Sequence, residues 1–346
     1  MKRCLLAWAV VCGMVVVAVA PAGAVTRHPN TRHPNRLAGR PAVTPADATV
    51  APGSPGDESY FDLARKDCVG TARNTQSKVW FTVADGALSD VYWPTVDATN
   101  VHTLQYLVTD GSTFTDLQTR DMTYALDPDP TGMSCTVVAS DAAHGYTITT
   151  TYIADPEHDA VLMRVGFHGP ASDQLYVRLD PLAGGTGGGG PENAGGNTAA
   201  LAQVGSQSVP VVDNTNTVTD AANRSYAVPT YEALEASSGF STASVGYSDT
   251  ASDGLTMLDG AHALTPYSSA PDGHVTLTAG LRIAHGRSVN LALGFGTTES
   301  QALDVAGASV SQSFPAVLRA YERGWKQYDA GLRRPSPSLG TAADNE

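Results

Sequence analysis

Tyr92-Trp93-Pro94, with Asp97 shortly after, is the stretch of this 346-residue chain best suited to touch a ligand. A flat aromatic face packs on the C–H face of a sugar ring. A neighbouring carboxylate accepts hydrogen bonds from sugar hydroxyls. Proline ends the strand that carries the aromatics and exposes its tip. Strand alternation sends Tyr92 and Trp93 to opposite faces, so at most one meets a ligand while the other packs inward. The competing reading is a core aromatic pair at a strand end, with no ligand at all.

Other chemistry is sparse. Gly184-Gly-Thr-Gly-Gly-Gly-Gly190 lacks the Gly-Lys-Ser/Thr and the following helix of a phosphate loop. Pro191 follows instead, and a surface loop is expected. Asp127-Pro-Asp129-Pro-Thr131-Gly132 spaces its oxygens like the head of a calcium loop, but Val138 stands where the closing glutamate belongs. An Asp-Pro turn is expected there. The nine histidines form no metal-binding helix pattern, and no Gly-x-Ser-x-Gly nucleophile elbow is present. No metal or cofactor is expected. Cys4 and Cys12 lie in the N-terminal segment 1–24, which leaves Cys68 and Cys135. In an oxidising compartment they are able to form one disulfide, or they stand as two separately buried thiols.

The elements that must position these residues are strands. Ser77–Val83 is rich in β-branched and aromatic residues, Asp85-Gly86 is a turn signal, and Leu88–Trp93 returns. Leu104–Thr109 leads into Asp110-Gly111, another hairpin turn signal. Tyr146–Ile153, Val161–Phe167, Leu175–Leu179, His274–Ile283 and Ser288–Phe295 keep the same rhythm. Many short strands without intervening helices mean an all-β sandwich or barrel, and the length calls for two large sheets. Two helices are expected at the end. Thr298-Glu-Ser-Gln301 matches a capping box. Phe314, Val317, Leu318, Tyr321, Trp325, Tyr328 and Leu332 form an apolar stripe at helical spacing, with Pro315 in the first turn.

The flanks are of another kind. Lys2 and Arg3, the apolar run Leu5–Ala20 and Ala22-Gly23-Ala24 fit a cleaved export signal, with a mature start near Val25. A tandem Thr-Arg-His-Pro-Asn repeat (26–30, 31–35) and recurrent prolines make 25–55 an expected disordered leader. The expected layout is signal 1–24, leader 25–55, β-domain 56–297, helical segment 298–334 and a disordered tail 335–346. Without Lys2 and Arg3, 21 − 2 = 19 basic residues face 34 acidic ones, or −15. That charge argues against nucleic acid and against an anionic membrane surface as partners. An extracellular location is expected.

Taken in order, longer strings become specific. Lys66-Asp67 and Gly70-Thr71 are followed by Ser77-Lys-Val-Trp-Phe-Thr82, Val91-Tyr-Trp-Pro94 and Leu104-Gln-Tyr-Leu-Val-Thr-Asp-Gly111. Then come Tyr152-Ile-Ala-Asp-Pro156, Leu175-Tyr-Val-Arg-Leu-Asp-Pro181, Leu291-Ala-Leu-Gly-Phe-Gly296 and Tyr321-Glu-Arg-Gly-Trp325. The series resembles the N-terminal domain of glucodextranases and bacterial glucoamylases of glycoside hydrolase family 15. The resemblance implies a β-supersandwich of two large antiparallel sheets, related to the galactose mutarotase fold. It also implies a place beside an (α/α)6 barrel that hydrolyses α-glucosidic bonds with inversion. Inversion needs two carboxylates about 6.5–9.5 Å apart, and in the family both belong to the barrel. Nothing after the β-domain in this sequence reads as that barrel. The expected function is thus a non-catalytic accessory domain whose partner is a separate or lost barrel. Alternatives are a free-standing α-glucan-binding module, contacting sugar through Tyr92, Trp93 or Asp97, and an aldose epimerase suggested by fold analogy alone. The family usually has Arg and an acidic residue just before the Leu-Gln-aromatic strand; here Val101-His102-Thr103 stand there.

Overall fold

A computed structural model describes residues 42–43, 49–59, 66–129, 133–185, 194–217, 228–283 and 286–333. The export signal, most of the leader, the glycine run beyond Gly185, the end of the Asp-Pro turn and the C-terminal tail lie outside the described residues.

In chain order the strands begin with β1 (Ala42–Val43), β2 (Cys68–Thr71), β3 (Trp80–Ala84), β4 (Ala87–Tyr92), β5 (Val101–Thr109) and β6 (Thr115–Leu117). Next are β7 (Thr123–Pro128), β8 (Cys135–Asp141), β9 (Tyr146–Ala154), β10 (Ala160–His168), β11 (Gln174–Pro181) and β12 (Asn197–Val204). The last are β13 (Gln207–Asn214), β14 (Thr230–Ala236), β15 (Phe240–Tyr247), β16 (Ser269–Gly273), β17 (Val275–Leu281) and β18 (Arg287–Gly296). They form two antiparallel sheets. The first has ten strands in the order β1-β12-β13-β14-β18-β10-β9-β8-β7, with β16 beside β12. The second has eight in the order β15-β17-β11-β5-β4-β3-β2, with β6 beside β5. The two-sheet architecture is the one expected from the sequence.

Period-two alternation builds the core. In β9, Tyr146, Ile148 and Tyr152 are buried while Thr147, Thr149 and Thr151 face outward. Phe81, Leu104, Val177 and Leu277 of the second sheet meet Ile148, Leu162, Leu234 and Leu293 of the first in one apolar cluster. At the Asp85-Gly86 turn both residues have positive φ, 49° and 78°, as a tight hairpin between β3 and β4 requires. Cys68 of β2 and Cys135 of β8 are joined by a disulfide between the sheets, with Cα atoms 6.5 Å apart.

Among the described residues, four α-helices accompany the sheets: α1 (Gln118–Asp121), α2 (Gly254–Ala261), α3 (Glu299–Val310) and α4 (Phe314–Gly331). Thr298 Oγ1 caps α3 by accepting from Gln301 N. The return bond of the expected box shifts by one residue, since Gln301 Oε1 accepts from Thr297 N. Helix α3 lies on the outer face of β14 and β18, where a Cβ on Gly294 would come within 2.5 Å of Ala306 N. The α2 turn escaped the sequence reading because Ser252-Asp253-Gly254 looks like an ordinary turn. Here Asp253 accepts from Leu255 N as the helix cap.

The leader departs from expectation before Pro55. Ala42–Val43 pairs with β12, Ala51 is buried, and Ala51 N donates to Ser269 O at 2.8 Å. Ser252 Oγ donates to Pro52 O, and His274 N to Pro55 O. Proline removes donors but leaves carbonyls, and the sandwich uses those carbonyls as acceptors. No helix among the described residues is long and apolar enough to cross a membrane.

Candidate functional site at the sheet rim

The three residues singled out from the sequence separate in space. Trp93 turns into the core at 2% exposure, and its ring stacks on Phe295 with centroids 6.0 Å apart. Asn100 holds the turn that follows: its Nδ2 donates to Trp93 O at 2.7 Å and to Ala98 O at 2.9 Å. Tyr92 points to the other face and is half-buried. Burial, and then the Asp90 carboxylate, push its phenol above the usual range. Asp97 is exposed in the loop after Pro94 and keeps contacts of its own.

Tyr92 lies opposite Trp80 in the β3–β4 register, and Trp80 also pairs with Thr71 of β2. Trp80 is 39% exposed. It forms one wall of a groove of about 570 Å³ between the sheet rim and α4, with Arg73, Lys78, Val96, Trp325 and Tyr328 among the lining residues. Trp325 is fixed by Nε1 donating to Thr71 O at 2.8 Å. Tyr328 meets Trp325 edge-on at 5.8 Å, and the Arg73 guanidinium lies 4.5 Å over its ring. Among the described residues, no carboxylate lines the groove. The arrangement can stack on a flat apolar surface and donate hydrogen bonds, but it holds no acid–base pair. Sequence reasoning missed Trp80, Arg73, Trp325 and Tyr328 as a site. The usable signal was the α4 stripe, which is longer than the core needs. Phe314, Val317 and Tyr321 are buried, whereas Tyr328 and Leu332 are exposed.

Ionisable groups gather elsewhere, on the other side of the eight-stranded sheet from the core. Arg178 donates to Asp253 through Nε at 3.0 Å and Nη2 at 2.8 Å. Asp180 lies 2.7 Å from His274 Nε2, 3.2 Å from His102 Nδ1 and 3.5 Å from Arg178 Nη1. Burial alone would raise the Asp180 carboxyl. Hydrogen bonds from His102 and His274, with the charges of His274 and Arg178, hold it far below the usual range instead. Burial likewise opposes the charge on His274, and Asp180 outweighs it, so the imidazole is raised. His274 Nδ1 faces the Asp57 carbonyl at 3.2 Å. With an acceptor at each nitrogen, the doubly protonated ring fits. His102 serves this cluster through its contact with Asp180. The charges satisfy one another, which is the arrangement of a structural network.

Among the described residues, Asp116, Asp141 and His144 form a group able to hold a metal, their ligand atoms lying within 4.8 Å of one another. In the structure they bond to each other: His144 Nδ1 is 2.8 Å from both carboxylates, and Tyr146 donates to Asp116 at 2.7 Å.

The family model "Glucodextranase, domain N" matches residues 51–330. A glucoamylase of Clostridium sp. (strain G0005) is 28% identical over 283 residues, covering 80% of this chain but 37% of its own length. A bacterial glucoamylase solved in complex with acarbose superposes with a TM-score of 0.73 at 26% identity, covering 84% of this chain and 40% of its own. A family GH92 inverting mannosidase of Bacteroides thetaiotaomicron superposes at 0.50 with 10% identity over 80% of this chain and 36% of its own, a likeness of fold alone. The chain thus spans about two fifths of the length of the glucoamylases it matches. On the match over residues 51–330, this chain belongs to the family of glucodextranase N-terminal domains.

Proposed function

We propose that the domain is exported and acts as a non-catalytic partner of an α-glucan-hydrolysing barrel of the glucoamylase type, carried on the same or another polypeptide. The observation that carries this reading is at α4. The family match runs to residue 330, near the end of that helix. Its apolar stripe outlasts the sandwich, leaving Tyr328 and Leu332 exposed at 42% and 52%. An apolar helix end left partly exposed among the described residues suits a surface that packs against another domain. The self-satisfied Asp180 cluster and the carboxylate-free groove support a role without bond cleavage.

Activity measurements test it. The purified chain alone is expected to release no glucose from starch, dextran or maltose. Adding the barrel of the Clostridium glucoamylase, expressed without its own N-terminal domain, is expected to raise that barrel's thermal half-life. Glucose release by the chain alone, abolished by replacing one of its own carboxylates, would overturn the reading.

A second reading, an α-glucan-binding module, is favoured by the exposure of Trp80 in the rim groove. The two are compatible, because the groove opens beside the exposed end of α4.

A further inference from the structure

We propose that the groove between α4 and the β3–β4 rim is a saccharide subsite. In it the Trp80 indole stacks on the C–H face of one glucose unit of a linear α-glucan. The choice of glucan rests on the functional reading above; the site itself rests on the groove.

Single exposed apolar residues are ordinary on protein surfaces. Here three exposed large apolar or aromatic residues, Trp80, Val96 and Tyr328, line one depression. The walls are preformed. Trp325 is pinned by its indole N–H to Thr71 O. Tyr328 is held by the edge of Trp325 and covered on one face by Arg73. Trp80 is the ring left to offer a stacking surface. Its strand position is fixed by pairing on both sides, to Thr71 and to Tyr92. A rigid aromatic loses little freedom when a ligand settles on it.

The polar part of the lining also suits a sugar. Lys78 and Arg73 donate hydrogen bonds and cannot accept them. Thr75, Ser77 and Thr95 bring hydroxyls to the same rim. A pyranose offers the matching pattern: an apolar face for the ring and hydroxyl oxygens at its edge. The volume, about 570 Å³, lies within the range of roughly 300–1,000 Å³ typical of ligand sites. A protein partner would need about 800 Å² of surface on each side. The groove alone is too small for that.

A second depression of about 590 Å³ lies on the outer face of β9, β10 and β18, lined by Thr147, Thr149, Arg164 and His168. The exposed ring in its lining is the small His168 imidazole, with no indole or phenol beside it, so the proposal does not extend to it.

The test is a titration of the full chain with maltotriose and with isomaltotriose, followed by the Trp80 indole N–H resonance. Saturable binding of at least one is expected, with Kd around millimolar, about −4 kcal/mol. Trp80→Ala should weaken retention on immobilised starch or dextran at least tenfold, and Trp80→Phe should restore part of it. Tyr124→Ala, an exposed aromatic outside the groove, should leave retention unchanged. Failure of both sugars to saturate, or retention that survives Trp80→Ala in a folded protein, overturns the site. So does a barrel that protects Trp80 from solvent when neither sugar binds, since the groove would then be a protein interface. Sugar binding through Trp80 without any association with a barrel would leave the site standing and remove the partner reading instead.

Discussion

Replacing Asp253 tests what the buried charges do. Its carboxylate accepts two bonds from Arg178, at 3.0 and 2.8 Å, one from Leu255 N at 3.0 Å, and one from Asp249 N at 3.2 Å. Both members of the ion pair are buried. Removing one partner of such a pair costs about 3–5 kcal/mol, because the other charge stays buried and uncompensated. Losing the cap of α2 adds about 1 kcal/mol. Asp253→Ala should therefore lose about 4–6 kcal/mol in urea unfolding at neutral pH. Asp253→Asn retains a side-chain acceptor for the cap and should lose about 3 kcal/mol, the part due to charge. Asp180, 3.5 Å from Arg178, softens both values. The double replacement Arg178→Met with Asp253→Leu removes both charges and should be less damaging than Asp253→Ala alone. A loss below about 1 kcal/mol for Asp253→Ala, or a double variant less stable than the single, would refute the assignment of this pair as a coupled structural unit.

Other outcomes follow from single groups. Glu232 is buried, neither carboxyl oxygen is hydrogen-bonded among the described residues, and burial raises it well above the usual range. Glu232→Leu should stabilise by about 1–3 kcal/mol at neutral pH, and a comparable loss in urea unfolding would contradict this. Glu232 and His274 both have raised folded values. Each binds its proton more tightly when folded, so each contributes stability that is full below its unfolded value and is lost as pH rises through the folded one. Stability should therefore fall as pH rises above the unfolded glutamate and histidine values, with a shallower fall in Glu232→Leu and in His274→Gln; identical slopes in all three proteins would argue against it. Trp93→Ala should cost about 3–5 kcal/mol, for a ring buried against Phe295. Tyr92→Ala should cost much less, and equal losses by denaturant titration would contradict the inward and outward assignment. The exported protein should show no free thiol when unfolded without reductant, and reducing Cys68–Cys135 should lower stability by about 4 kcal/mol on a chain-entropy estimate.

Much of the fold could be read from the chain because its signals are local. The β-branched runs, Asp85-Gly86 and the Thr298 cap each act within a few residues, and period two sorts Ile148 from Thr149. What could not be read depends on distant pairing. Ala51 and Pro52 look like linker because their partners, Ser269 and Ser252, lie some two hundred residues away. The rim site was half visible for the same reason. Of Tyr92-Trp93-Pro94, Pro94 reaches the groove lining, while Trp93 packs into the core and Tyr92 lies half-buried beside it. Trp80, Arg73 and Trp325 meet there only because β2, β3 and α4 converge, which no spacing along the chain encodes. His102, His274 and Asp180 were likewise scattered carboxylates and imidazoles until β5, β11 and the turn before β17 set them side by side.

The partner reading is tested most directly by sedimentation of the purified chain with a separately expressed glucoamylase barrel. At about 10 micromolar of each, a micromolar Kd leaves most of the protein in complex. The expected result is a one-to-one complex that Leu332→Asp weakens by at least tenfold, since Leu332 is the exposed end of the α4 stripe. Two species sedimenting independently, with the wild-type chain folded, would contradict the account.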